Sequence, residues 1–117
     1  MANHIKDQDL VITTAQIPGK AAPKLITDEM VASMRAGSVI VDCAAETGGN
    51  CELSKPGETV VVDDVTIMAP LNLPSTVAFH ASQMFARNIF ELVKPHVKEG
   101  KFVFNPNDEI LGKMLMK

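Results

Sequence analysis

The sequence predicts an α/β fold built on a parallel sheet, and three observations carry that prediction. Two short runs, DLVITTA at residues 9–15 and SVIVDC at residues 38–43, are continuously apolar rather than alternating. That is the pattern of strands buried on both faces. Between them lies a capped helical pattern, so the order strand, loop, helix, strand describes a βαβ unit with parallel strands. The strand-like runs feed loops rich in Gly, Pro and small residues, which in open parallel sheets gather at the ligand-binding end.

Each element follows from local chemistry. After the first strand, Pro18, Gly19 and Pro23 break regular structure and give a loop over residues 16–24. Thr27 is a natural N-cap, and Asp28 and Glu29 set negative charge on the first turn of a helix expected over residues 27–36. Met30, Val31 and Met34 share one face of it, and Gly37 suits its C′ position. The second strand runs into a long loop, residues 44–57, containing Gly48-Gly49 and Lys55-Pro56-Gly57. Residues 58–62 and 65–68 around Asp63-Asp64 read as a hairpin or as a strand preceded by an extended edge. Pro70 and Pro74 bracket a turn, and Ser75 is the expected cap of a long helix reaching Pro95, with Ser82 as a candidate break. Apolar residues occupy so much of that helix that it needs cover on more than one side. Beyond it, residues 101–104 suit a short strand, 105–107 a turn and 110–116 a helix.

Composition narrows the function. The chain has 117 residues, 46% of them hydrophobic, with 11 basic against 14 acidic side chains and a net charge of −3. One domain of average apolar content follows, and disorder is excluded as the main state. No basic excess exists to neutralise phosphates, so a nucleic-acid module is disfavoured. The apolar runs fall far short of the ~20 residues a bilayer needs, and no signal-peptide pattern opens the chain. Cys43 and Cys51 read as reduced thiols of a cytosolic protein. His4, His80 and His96 are scattered, so no metal site is expected.

The three loops carry a resemblance. ITTAQIPG at residues 12–19, SVIVDCAAETGGNC at 38–51 and PLNLPS at 70–75 resemble the NAD-binding domain of the alpha subunit of proton-translocating NAD(P) transhydrogenases. APKLITDEMVASMRAGS at 22–38 and ASQMFARNIFEL at 81–92 fit the same family, so the likeness runs over about residues 7–97, with 98–117 as a tail. Alanine dehydrogenases are relatives by fold. The resemblance implies a partial Rossmann-like domain, the second half of a dinucleotide-binding domain, as a three-layer parallel-sheet fragment with a long C-terminal helix. By the same likeness the chain opens at the family's fourth Rossmann strand. It contains no G-x-G-x-x-G turn.

Function follows as an expectation from that likeness. The family passes hydride between NAD(H) on this subunit and NADP(H) on another, coupled to proton translocation, so the cofactor is NAD. Ala15 and Gln16 would pass beside the adenosine and pyrophosphate. Cys43, Ala44, Ala45 and Glu46 would run under the nicotinamide ribose, and Leu71, Asn72 and Leu73 would bound the nicotinamide. No catalytic side chain is expected, because the cofactors carry the hydride. Glu46 stands where alanine dehydrogenases have an active-site aspartate. Asp42 reads as structural, accepting backbone N–H groups in the turn after it. The implied partners are NADP-binding and membrane subunits, with the chain peripheral on the cytoplasmic face. A homodimer is expected as well, because the first strand would be an open edge and the long helix is too apolar for one small sheet. The alternatives are an alanine-dehydrogenase-like piece and a non-enzymatic oligomerising remnant.

Overall fold

The computed structural model describes residues 2–114, which fall in two compact units, Met1–Thr76 and Val77–Lys117. The first unit contains α1 (Ala2–Ile5), β1 (Leu10–Thr13), α2 (Asp28–Ala32), β2 (Val39–Asp42), β3 (Thr59–Val62), β4 (Val65–Met68) and α3 (Leu73–Thr76). Its sheet has the order β1-β2-β4-β3. β1 pairs in parallel with β2, from Leu10↔Val39 to Thr13↔Asp42, and β2 pairs in parallel with β4. The βαβ reading therefore holds, and the first strand is an edge strand.

The two strand candidates around Asp63-Asp64 form a hairpin, with β3 antiparallel to β4. Both aspartates take left-handed backbone, φ 51° and 59°, as a tight two-residue turn between twisted strands requires. α2 starts where the sequence predicts, with Thr27 Oγ1 accepting the Met30 N–H at 3.3 Å. It ends early, at Ala32, because the Ser33 N–H is shared between the Glu29 and Met30 carbonyls and the Ser33 hydroxyl donates to Met30 O. That tightened turn closes the helix before residue 36.

Successive strand residues point to opposite faces. One face carries Ile40, Val65 and Ile67, fully buried against Val31 and Met34 of the α2 segment, Ile5 of α1, and Ile26 and Cys51. The other face carries Leu10, Ile12, Val61 and Met68, exposed by 57%, 60%, 65% and 39%. Residues 2–76 thus build two layers, and the third layer of the expected three is not formed within this unit. The continuous apolar pattern of β1 and β2 reflects a face that this unit leaves bare.

The second unit contains α4 (Ala78–Val93), a 3₁₀ turn (Lys94–His96), a hairpin of β5 (Val97–Lys98) with β6 (Lys101–Phe102), and α5 (Leu111–Met114). The long helix does not begin at Ser75. Ser75 lies inside α3, its hydroxyl donating to Asn72 O at 2.8 Å, and the helical path breaks at Val77, φ −129° and ψ 43°, rather than at Ser82. α4 instead starts after Val77, which has no side chain able to cap it. No α4 side chain among the described residues is buried, and Phe79 and Phe85 are exposed by 74% and 69%. α5 is stabilised at its start by Asp108, whose carboxylate accepts the Leu111 and Ile110 N–H groups. Those bonds hold its pKa below the usual value. The helix expected over 110–116 runs partly beyond the described residues. No helix among the described residues is long and apolar enough to cross a membrane.

The carboxyl ends of β1 and β2 are joined by one buried carboxylate. Asp42 Oδ2 accepts the Asn50 N–H at 2.8 Å, the Cys51 N–H at 3.0 Å and the Ser54 hydroxyl at 2.6 Å. Oδ1 accepts the Ala44 N–H and the Thr13 hydroxyl, each at 3.1 Å. This is the turn-acceptor role expected of it. Burial pushes the pKa of Asp42 up, but the bonds from Cys51, Ser54, Ala44 and Asn50 outweigh it, and the net direction is down. A pKa lower in the folded than in the unfolded chain stabilises the fold above the unfolded value, about 4. That contribution is lost as pH falls through the folded pKa. Asp42→Asn is therefore expected to cost roughly 2–4 kcal/mol at pH 7, because its amide would present donors to donors. It should also flatten the loss of stability below about pH 4. Urea unfolding of both proteins from pH 7 to pH 2 checks this, and equal stabilities at pH 7 would refute it.

Candidate functional site

Three loops leave the carboxyl ends of β1, β2 and β4, and they meet. Gln16 from the first, Cys43 and Glu46 from the second, and Pro70, Asn72, Leu73 and Pro74 from the third line one cleft of about 340 Å3. Five of the nine residues singled out from the sequence are among them. Two more, Ala44 and Ala45, are buried under the second loop. Ala15 is half-buried and lines a different groove, beside β1. Leu71 turns away and covers Gly57, where an added Cβ would lie 3.2 Å from Leu71 Cδ1.

The loop between β2 and the cleft has a defined path. A 3₁₀ turn, Ala45–Thr47, carries Glu46 and ends at Gly48, φ 103°. Gly49 follows at φ 75°, and a Cβ there would stand 2.7 Å from Asp42 Oδ2. Glycine is required at 49 on both counts, by the left-handed backbone and by the close carboxylate. Opposite, Asn72 takes φ 50°, a conformation that asparagine tolerates better than most residues. Its N–H donates to Glu46 Oε1 at 2.5 Å, tying the second loop to the third.

Among the described residues, Glu46 is the only charged side chain lining the cleft. With Gln16 and Asn72 it offers acceptors and amides, a set suited to hydroxyl and carboxamide groups. A phosphate in the same cleft would meet the Glu46 charge. Cys51 lies away from the cleft, and burial, with the nearby Asp42 charge, pushes its thiol pKa up, so it stays protonated at neutral pH. His80, read from sequence as packed or superficial, is exposed on α4 and stands edge-on to Phe79. The groove beside β1, about 390 Å3, is mainly apolar, with Ile5, Val11, Ile12, Leu25 and Ile26 among its lining residues. It runs along an edge strand, and His4 is the one titratable side chain among its lining residues.

Sequence reasoning missed two residues that shape the site. Lys24 donates through Nζ to Gly48 O at 2.6 Å and Cys51 O at 3.0 Å, pinning the glycine loop. Asn50, fully buried, bonds Ala15 and Pro23 through its side chain. The sequence shows only an asparagine after two glycines, and no local pattern identifies partners 35 and 27 residues away.

Comparison with known proteins agrees with this arrangement. The family model described as alanine dehydrogenase/PNT, C-terminal domain matches residues 1–117. The chain is 56% identical over 89 residues to an NAD(P) transhydrogenase subunit alpha chain of Rhodospirillum rubrum, covering 76% of this chain and 23% of that protein. It is 45% identical over 116 residues to the corresponding subunit alpha chain of Rickettsia prowazekii, covering 99% and 30%. Among solved structures, a transhydrogenase from Sinorhizobium meliloti superposes with a TM-score of 0.76 at 42% identity, over 95% of this chain and 31% of that one. An L-alanine dehydrogenase superposes with a TM-score of 0.65 at 32% identity, over 80% and 28%. The chain thus spans under a third of the length of each of these relatives. With one family model matched from end to end, and the parallel sheet and three-loop cleft in place, the chain belongs to the alanine dehydrogenase/PNT C-terminal domain family.

Proposed function

We propose that the chain is part of the NAD(H)-binding domain of a proton-translocating NAD(P) transhydrogenase. On this reading it is one partial Rossmann-like domain, with residues 98–117 as a tail. The observation that carries it is the convergence of Gln16, Cys43, Glu46, Asn72 and Leu73 on one cleft beyond the parallel strands. The donor set suits the nicotinamide riboside end of NAD(H). Glu46 would accept from ribose hydroxyls and Asn72 would meet the carboxamide. Gln16, which lines the same cleft, would join Asn72 there rather than pass beside the adenosine and pyrophosphate, and Leu73 with Pro70 and Pro74 would exclude water. NAD(H) itself supplies the hydride, so the chain's work is holding, orienting and drying the reacting ring.

Hydride exchange with NADP(H) would take place only together with further protein, in the family an NADP-binding and a membrane subunit. The chain itself would act at the cytoplasmic face. Curated relatives named transhydrogenase reach 56% identity and up to 99% of the chain, against 43–46% identity over 56–68% of it for two named alanine dehydrogenase, and this favours the transhydrogenase reading. A homodimer is the proposed state. The bare sheet face with Leu10 and Ile12, and the exposed Phe79, Phe85 and Phe90 of α4, are the surfaces a second copy would cover.

Two measurements test these proposals. The chain offers no G-x-G-x-x-G turn for the pyrophosphate. NADH should therefore bind the isolated chain weakly, with a dissociation constant above about 100 μM. Glu46→Ala should weaken binding further, by about fivefold, at a stability cost below about 1 kcal/mol. NMR shift titration with NADH checks both. A low-micromolar constant would contradict the first, and shifts absent from the cleft residues, or appearing only with L-alanine or pyruvate, would contradict the assignment. Light scattering across the micromolar range should give a dimer mass, and a monomer mass throughout would defeat the dimer.

A further inference from the structure

Asn50 has no exposed surface, and all its polar groups are used. Its N–H donates to Asp42 Oδ2 at 2.8 Å, and its carbonyl accepts the N–H groups of Leu25 at 2.7 Å and Ile26 at 3.0 Å. Its side-chain Oδ1 accepts the Ala15 N–H at 3.0 Å, while Nδ2 donates to Ala15 O and Pro23 O, both at 2.9 Å. The amide pairs with both backbone groups of Ala15, as a neighbouring peptide would in a sheet. It takes over where the β1–β2 ladder stops, just beyond the Cys43 N–H to Thr13 O bond of 2.9 Å.

The loop that Ala15 opens has little else to hold it. Between residues 14 and 19, the described hydrogen bonds to the rest of the first unit run only through Ala15, and both go to Asn50. The Lys20 N–H to Ile17 O bond, 3.1 Å, is internal to the same turn. The next anchor along the chain is the Ala22 N–H on Thr47 O, at 2.8 Å. Gln16, which lines the cleft, is therefore placed by the residue before it, and that residue is placed by Asn50.

The geometry points to Asn50 as a positioning residue: it holds Ala15 and so presents Gln16 to the cleft, setting NAD(H) affinity without touching the cofactor. This rests on the nucleotide reading of the cleft. It also couples the first loop to the second, because the Asp42 carboxylate that fixes the Asn50 backbone fixes Ala44 as well. A disturbance of residue 50 reaches Gln16 through Ala15, across 35 residues of sequence.

The test compares Asn50→Ala with Ile67→Val, which loosens the buried core in β4 without touching any loop bond. Both are measured as full chains under conditions where circular dichroism shows them folded. In Asn50→Ala, amide hydrogen exchange at Ala15 should quicken at least about 100-fold while Ile40 stays protected. The dissociation constant for NADH, read by NMR titration, should rise about tenfold. Ile67→Val should leave the Ala15 amide and the NADH constant within about twofold of the parent. In the parent chain, NADH should slow exchange at Ala15. An unchanged NADH constant in folded Asn50→Ala, an equal rise in Ile67→Val, or no slowing of Ala15 by bound NADH would overturn the proposal. If NADH binds the parent too weakly to titrate, as the missing pyrophosphate turn allows, Ala15 exchange and the Gln16 amide shift decide, and either one unchanged in Asn50→Ala overturns the proposal. If Asn50→Ala does not fold, Asn50→Ser, too short to reach both groups of Ala15, takes its place with the same expected outcomes.

Discussion

The Asp42 carboxylate organises the ligand end of the sheet. It stands at the last residue of β2, under the loop that carries Glu46, and it satisfies three backbone N–H groups and two hydroxyls. A loop dipping that close to a sheet end would otherwise bury unpaired donors, each costing on the order of 1–3 kcal/mol. Asp42 removes that cost and gives the loop one path. The path then demands glycine at 49, since any side chain there meets the carboxylate. Asn50, held by the same carboxylate, extends the order to the loop after β1. One buried charge thereby connects two of the three loops that shape the cleft.

The third loop is held differently. Asn72 takes left-handed backbone and gives its N–H to Glu46, whose carboxylate is exposed. An exposed contact of this kind opens at low cost, because water can replace either partner. The cleft therefore has one wall built on the buried Asp42 and Asn50, and another that reaches it at the cleft through the exposed Asn72–Glu46 bond and, farther back, through the Gly57 N–H on Ala69 O at 2.7 Å. Such a division would suit the admission and release of the proposed nucleotide. The strained and polar groups sit at the loops, and the apolar core under α2 carries the fold.

Much of this is legible in the sequence, and the reasons are local. Continuous apolar runs mark β1 and β2, and Thr27 with Asp28 and Glu29 marks the start of α2. Asp63-Asp64 between two β-branched runs leaves a hairpin as one of two readings, and the structure selects it. Asp42 is readable as a turn acceptor because it closes a strand before a glycine loop. The motif-bearing loops contain Gln16, Cys43, Glu46, Asn72 and Leu73, which the fold gathers at one cleft. The cap of the long helix is not legible, because Ser75 reads locally as an N-cap while the fold places it inside a separate short helix, Leu73–Thr76. Strand burial is not legible either, because an apolar run does not say which of its faces the same unit covers.

The sequence by itself determined the elements and their order, since periodicity, capping and turn chemistry act over a few residues at a time. It also determined which loops carry the polar groups. Tertiary structure alone decided that β3 lies beyond β4, whereas β1 at an open edge is expected from the sequence as well. It alone turned Leu71 away from the cleft and Ala15 toward Asn50, since contacts between residues 35 apart depend on how the strands are laid side by side. Local preference selects a conformation for each segment. The bonds of a buried amide are selected only once the fold has removed water from around it and left Ala15 and Pro23 within reach.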